Sequence, residues 1–282
     1  MTAATMCEFG KLPAVCITAP DGAEAIVTLY GAHLVSWKSS DGQQRLFCSA
    51  KSRLDGSGAI RGGMPVIFPQ FGERGNGLRH GFARICHWRL EDSGQHGDAG
   101  YAQFCLSAAD LPLTLACAWP FEFTLQLRIA LYADELDVSL TVRNNGARAF
   151  PFSAALHTYY LIDSLDQASL NGLQHVRFTD QDQRVALQDE EALHFNSKLD
   201  RIYCQVPGAV TLNSGAGVVS VRQEGFTDVV VWNPGAADAC ALLDLADDEY
   251  RQFICVEPAL IEPDLLAPGT QWTGRQRTQG KG

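Results

Sequence analysis

The strongest constraint in this sequence is a period of two between residues 121 and 142. Phe121, Phe123, Leu125, Leu127, Ile129 and Leu131 alternate with Glu122, Thr124, Gln126, Arg128 and Ala130. A polar break follows at Ala133-Asp134-Glu135. Leu136, Val138, Leu140 and Val142 then resume the alternation up to Asn144-Asn145-Gly146. Successive strand side chains point to opposite faces, so the pattern predicts a β-hairpin with one buried face. Shorter runs of the same kind occur at 25–30, 210–212, 218–221, 229–232 and 253–256, punctuated by Gly, Pro, Asn and Asp. No long stretch carries a helical period; only 247–251 reads as a short helix. There is no internal repeat, low-complexity segment or Pro/Ser-rich linker. Many short strands predict an all-β fold, a large antiparallel sandwich or barrel forming one domain over residues 1–282.

Composition narrows the function. The chain has 282 residues, 46% hydrophobic and 19% charged, which excludes intrinsic disorder. It can bury a sizeable core without disulfide or metal staples. Its 22 Lys+Arg against 32 Asp+Glu give a net charge of −10. That argues against nucleic acid or an anionic membrane as partner. No apolar run approaches the ~18 residues of a spanning helix, and residues 1–12 do not read as a secretory leader. The nine cysteines are scattered without a CxxC pair, several in apolar contexts such as Cys117 and Cys255. They read as buried, reduced thiols of a cytoplasmic protein rather than a disulfide framework or zinc knuckle. Dinucleotide, phosphate-loop, zincin and serine-hydrolase motifs are all missing.

One window departs from the acidic background. Residues 61–89 contain Arg61, Arg74, Arg79, Arg84 and Arg89 against the single acid Glu73, a local charge of +4. Its Gly and Pro content implies irregular backbone and close approach. Guanidinium forks in such a loop suit a phosphate or carboxylate ligand. A solvated loop, salt-bridged to the surplus acids, is the competing explanation. His157, in an apolar and aromatic run, fits either a core histidine or a catalyst. Glu257 ends the apolar run Phe253-Ile254-Cys255-Val256. A carboxylate there is rarely buried without a partner or a task, and burial would raise its pKa toward that of a general base.

These blocks occur in a recognisable order: Arg-Gly-Gly-x-Pro-x-x-Phe-Pro-x-Phe-Gly from Arg61, His-Gly-Phe-Ala-Arg from His80, and His157-Thr158-Tyr159-Tyr160. Leu199-Asp200-Arg201-Ile202-Tyr203, Val231-Trp232-Asn233-Pro234 and Cys255-Val256-Glu257-Pro258-Ala259 follow. Each block is weak alone; the six in order resemble the glucose-6-phosphate 1-epimerases, or hexose-6-phosphate mutarotases, of the aldose 1-epimerase superfamily. The resemblance runs from about residue 28 to residue 272. It implies a galactose mutarotase-like β-supersandwich of two large, mostly antiparallel sheets. It also implies interconversion of the α and β anomers of a hexose 6-phosphate, as part of carbohydrate metabolism, with no metal and no redox cofactor.

Carried over residue by residue, the resemblance makes Glu257 the base that removes the O1 proton and protonated His157 the acid that serves the ring oxygen. The pair is expected on opposite sides of the C1–O5 unit. His80 matches an active-site histidine that holds the sugar, Arg61 and Arg84 match phosphate-binding arginines, and Asp200 matches a hydroxyl-binding acid. Trp232 offers a stacking face for the pyranose or is simply core. Arg79 stands where the family often has Gln; it either adds a cation beside the phosphate or points outward. The expected partner is a small hexose 6-phosphate, and the chain is expected to act as a monomer. An epimerase of unphosphorylated sugars remains open, as do a non-catalytic sugar-binding module and a structural sandwich. A neutral sugar has no need of Arg61 and Arg84 together, and a binding module has no need of an acid–base pair.

Overall fold

The computed structural model describes residues 4–215 and 217–281. The alternating segment forms the hairpin Phe123–Leu131 and Glu135–Asn144, antiparallel from Leu131↔Leu136 to Phe123↔Asn144. Phe123, Leu125, Ile129, Val138 and Leu140 are buried on its inner face. Each such side chain contributes roughly 1.5–3 kcal/mol by leaving water. The hairpin lies inside a nine-stranded sheet. Gln271–Lys281 pairs with Glu135–Asn144 on one side, and Ala99–Ser107 with Phe123–Leu131 on the other.

A second, eight-stranded sheet runs Val185–Leu187, Arg177–Asp180, Leu199–Tyr203, Asp228–Asn233, Phe253–Leu266, Phe150–Leu156 and Val66–Ile67. Tyr159–Leu161 also pairs with Phe253–Leu266. Every pairing between these strands is antiparallel, and the inner faces share one apolar core. This is the expected supersandwich.

The sequence did not reveal a third sheet. Ala4–Phe9, Leu12–Thr18, Glu24–Thr28 and His33–Lys38 form a four-stranded meander. It packs against the nine-stranded sheet so closely that a Cβ at Gly100 would lie 2.3 Å from the Thr18 carbonyl oxygen. Only glycine fits there. Val15, Ile17, Ala25 and Val27 of the meander join the common core.

The helical content is small. The segment expected as a helix at 247–251 is a 3₁₀ turn, Glu249–Gln252, and two short helices occur at Leu113–Ala118 and Gly235–Ala239. Both are too short to show a 3.6-residue period. Among the described residues no helix is long and apolar enough to cross a membrane. All nine cysteines are free, but burial divides them: Cys86, Cys105 and Cys255 are buried, while Cys117 and Cys240 are exposed. The apolar neighbourhood of Cys117 is the short helix at the surface, which corrects the expectation of a buried thiol there.

Strand Asp228–Asn233 is apolar on both faces because both are covered. Val229 and Val231 enter the core between the sheets, whereas Val230 and Trp232 face the other way. The register aligns side chains on that outer face into two rows. Asp200 lies opposite Trp232, Trp232 opposite Cys255, and Cys255 opposite Tyr159. Ile202, Val230 and Glu257 form the second row.

Candidate active site

Asp200, Trp232, Tyr159, Ile202, Val230 and Glu257 of these rows floor a cavity of about 310 Å³ on the outer face of the eight-stranded sheet, while Cys255 is fully buried. His157, Glu257, Arg61, Arg79, His80, Arg84, Asp200 and Trp232 all line it. Side chains separated by almost two hundred residues are thus brought together.

His157 occupies the break between strands Phe150–Leu156 and Tyr159–Leu161. Its backbone N–H donates to the Pro65 carbonyl at 3.0 Å, and that of Tyr159 donates to Gly63 at 2.8 Å. The glycine-rich loop therefore holds both the histidine and, one turn earlier, Arg61. His157 Nδ1 lies 3.3 Å from Glu257 Oε1. The contact is not aligned as a hydrogen bond, and His157 Nδ1 and both Glu257 oxygens lack a partner. The two groups touch rather than stand apart, which differs from the expected flanking arrangement. O1 and O5 of a pyranose are bonded to the same carbon, so groups in contact can serve both.

Burial is the main influence on this pair. It holds the His157 pKa well below the usual imidazole range, reinforced by His80, Arg84 and Arg61. It pushes the Glu257 carboxyl well above the carboxylate range, with Asp200 adding to the effect. Both shifts favour the uncharged forms, a neutral ring beside a protonated carboxyl.

His80 has a left-handed backbone (φ 63°). The next residue is Gly81, where a Cβ would lie 2.0 Å from the Phe68 carbonyl oxygen. This tight crossing turns the His80 ring into the cavity, its centroid 5.5 Å from that of His157. The Gly72 N–H donates to His80 Nδ1 at 3.3 Å, which leaves Nε2 as the protonated nitrogen. Burial, then Arg84, Arg79 and Arg61, press its pKa down to about 3, so the ring is a neutral donor.

The arginines differ in how they are held. Arg61 donates to Asp244 Oδ1 at 3.2 Å and to the Tyr159 hydroxyl at 3.0 Å. Its guanidinium lies 6.0 Å from the Trp232 ring centroid. Arg84 donates to the Arg79 carbonyl at 2.9 Å, while its buried Nε has no partner. Among the described residues no carboxylate lies within ion-pair reach of Arg84. A half-buried cation without a counterion is a ready anion site. Arg79 is exposed at the mouth. Asp200 is raised above the usual carboxylate range, chiefly by burial. Trp232 packs on Phe253 at 5.9 Å with its edge toward His157, so it is at once core and cavity wall.

The sequence reading missed several lining residues. Tyr159 stood inside a quoted motif without a role, and Arg74 was counted only in the basic window. Thr179, Asp180, Gln181 and Gln183 come from a polar hairpin and also line the cavity; nothing in their local pattern marks them. Asp244, which orients Arg61, lies in an unremarkable acidic stretch.

The sequence pattern of one protein family, described as Aldose 1-epimerase, matches residues 13–279. The chain belongs to that family. Its members are enzymes, and membership makes this chain an epimerase with a small sugar as substrate. A relative from Cenchrus ciliaris named "Putative glucose-6-phosphate 1-epimerase" is 34% identical over 265 residues, covering 89% of this chain and 79% of the relative. One of the same name from Escherichia coli (strain K12) is 31% identical over 242 residues, covering 84% and 79%. The crystal structure of a "putative mutarotase" from Salmonella typhimurium superposes with a TM-score of 0.89 at 25% identity, covering 99% of this chain and 93% of that one. A galactose mutarotase-like protein from Clostridium acetobutylicum, at 15% identity, gives a TM-score of 0.77 and covers 99% and 98%. It shares the fold.

Proposed function

We propose that this aldose 1-epimerase family member interconverts the α and β anomers of hexose 6-phosphates, with glucose 6-phosphate first among them. The observation that carries the reading is the contact of His157 with Glu257 in a cavity where Arg84 has no counterion. A phosphate dianion on Arg84 and Arg61 would supply that counterion. The names borne by the relatives from Cenchrus ciliaris and Escherichia coli support the same substrate.

Glu257 acts as the base and His157 as the acid. Glu257 carboxylate takes the O1 proton, C1–O1 becomes a carbonyl, and the C1–O5 bond breaks. His157 passes its proton to O5. The aldehyde turns about C1–C2, and the two groups reverse roles to close the ring on the other face. Each well-placed group is worth ~10²–10⁴-fold in rate. Burial favours the proton on Glu257, whereas the reaction starts with it on His157. A phosphate on Arg84 and Arg61 offsets two of the lesser influences that depress His157, and moving the proton from carboxyl to ring is part of the barrier to reaction. Neutral His80 donates to a sugar oxygen, Asp200 accepts from a hydroxyl, and Trp232 provides an apolar wall. Arg79, exposed at the mouth, adds positive potential for the incoming phosphate.

We read residues 1–282 as one domain acting as a monomer in the cytoplasm. The core that extends from Val15 to Leu266 supports the single domain, and the nine free cysteines fit a reducing compartment.

The test is NMR magnetisation transfer between anomers at equilibrium, with glucose 6-phosphate and glucose at matched concentration. Exchange accelerated for the phosphate and hardly for the free sugar is expected. Equal acceleration would leave an epimerase of unphosphorylated sugars, and no acceleration of either would overturn the catalytic reading.

A further inference from the structure

Cys255 takes no part in the reaction above, yet it lies two residues before Glu257 on the same face of the same strand. Its sulfur, one His157 ring nitrogen and one Glu257 carboxylate oxygen all lie within 4.8 Å of one another. All three residues are buried, and His157 Nδ1 and both Glu257 oxygens lack hydrogen-bond partners. Thiolate, imidazole and carboxylate are the ligand types of zinc. Tetrahedral Zn²⁺, with bonds of ~2.0–2.3 Å, spaces its donors about 3.3–3.8 Å apart. The His157–Glu257 pair is already at 3.3 Å. Closing the trio on an ion requires side-chain movements of about an ångström.

We propose that His157, Cys255 and Glu257 form a three-ligand site for a thiophilic divalent cation, Zn²⁺ above all, which inhibits the enzyme by occupying its acid–base pair. The inhibitory consequence rests on the catalytic reading of His157 and Glu257; the binding site does not.

The obvious objection is the positive surroundings, Arg61 and Arg84 above all. The ligand charges answer it. His157 ligates as a neutral imidazole, while Cys255 ligates as a thiolate and Glu257 as a carboxylate, any protons they carried going to solvent. The two anionic ligands offset the charge of Zn²⁺, so the loaded site is neutral toward the arginines. Cys255 also has what the exposed thiols of Cys117 and Cys240 lack, two further ligand side chains within reach.

Cobalt provides a spectroscopic test. Full-length protein, freed of metal with EDTA, is titrated with Co²⁺ and followed by absorbance. One equivalent should produce a thiolate-to-cobalt charge-transfer band with the intense visible bands of four-coordinate cobalt, and Zn²⁺ should abolish both. Cys255→Ser should lose the charge-transfer band. Glu257→Gln should bind at least tenfold more weakly, and it carries the test if Cys255→Ser does not fold. In the anomer-exchange assay Zn²⁺ should slow the native protein, EDTA should restore it, and Cys255→Ser should resist. Absence of the band, or a band undiminished in both variants, would overturn the proposal. The cobalt spectrum requires no turnover. Cobalt bound in a protein with no epimerase activity would sink the catalytic reading and keep the site, while activity without the band would sink the site alone.

Discussion

The four residues His157-Thr158-Tyr159-Tyr160 show two ways of burying polarity. Thr158 and Tyr160 point into the core between the sheets. The Tyr160 hydroxyl lies 2.8 Å from Thr278 Oγ1, and Gln276 Nε2, with two hydrogens to donate, lies 2.9–3.1 Å from the hydroxyls of Tyr160, Thr158 and Thr278. Each polar group on that side has a partner from the opposite sheet. His157 and Tyr159 point the other way. Tyr159 accepts from Arg61, but His157 Nδ1 and both Glu257 oxygens have nothing. Buried polar atoms are normally paired, so the unpaired ones mark where a ligand completes the structure. The inner side of the segment spends its hydrogen bonds on stability; the outer side reserves them for a substrate.

Four measurements would break or sharpen this contrast. The largest effect is expected at Glu257. Glu257→Gln should lower turnover by ~10²–10⁴-fold while leaving the apparent affinity for glucose 6-phosphate and the melting temperature near normal. A large loss of stability would mean that the carboxyl is structural after all. His33 is the intermediate case, because its Nε2 donates to the Gly62 carbonyl at 2.7 Å while its Nδ1 is unpaired. Burial lowers its pKa to about 4 in the folded chain against 6.5 for a free ring. Between these values the unfolded chain binds a proton that the folded chain does not. The His33 contribution is therefore fully present above pH 6.5 and is lost as the pH falls from 6.5 toward 4. Denaturant unfolding at pH 7 and pH 4.5 should show a loss of about 2 kcal/mol that disappears in His33→Asn.

Next comes Arg84. Arg84→Ala should raise KM for glucose 6-phosphate by ~10–100-fold with little change in kcat, the worth of one charge-assisted contact. An unchanged KM would detach the arginine from the phosphate. The smallest effect belongs to the sealed side. Gln276→Leu should reduce stability by about 1–2 kcal/mol, read as a lower denaturation midpoint, with turnover falling far less than in Glu257→Gln. A collapse of turnover at unchanged stability would show that the inner network positions His157, and the two sides would no longer be separable.

The architecture was legible wherever one face of a strand is dry and the other wet. The hairpin at 123–144 has that property, and its period of two predicts it almost to the residue. The meander at the start of the chain was not legible as a separate sheet, since its inward residues enter the same core as those of the sandwich. The site was legible only as a set of separate motifs. His157 and Glu257 are distant in sequence and become neighbours only through the register of strand Phe253–Leu266. The supports, Asp244, His33 and Gln276, are ordinary polar residues whose significance arises from the chain crossing over them. Likewise, the aligned row of Cys255 beside Trp232 and Tyr159 depends on pairings that no local pattern encodes.

The cavity lies on the face of the eight-stranded sheet that turns away from the sandwich interior, and this has an evolutionary consequence. Its mouth is lined by side chains of a loop and a hairpin, such as Arg79 and Thr179, that lie outside the common core even where neighbours such as Phe82 and Phe178 belong to it. Arg79 and the polar residues 179–183 can be exchanged without reopening the core, while Glu257 stays anchored on a central strand with His157 against it. Lineages descended from such a chain are free to change which sugar they accept, one rim residue at a time, and keep the same chemistry beneath.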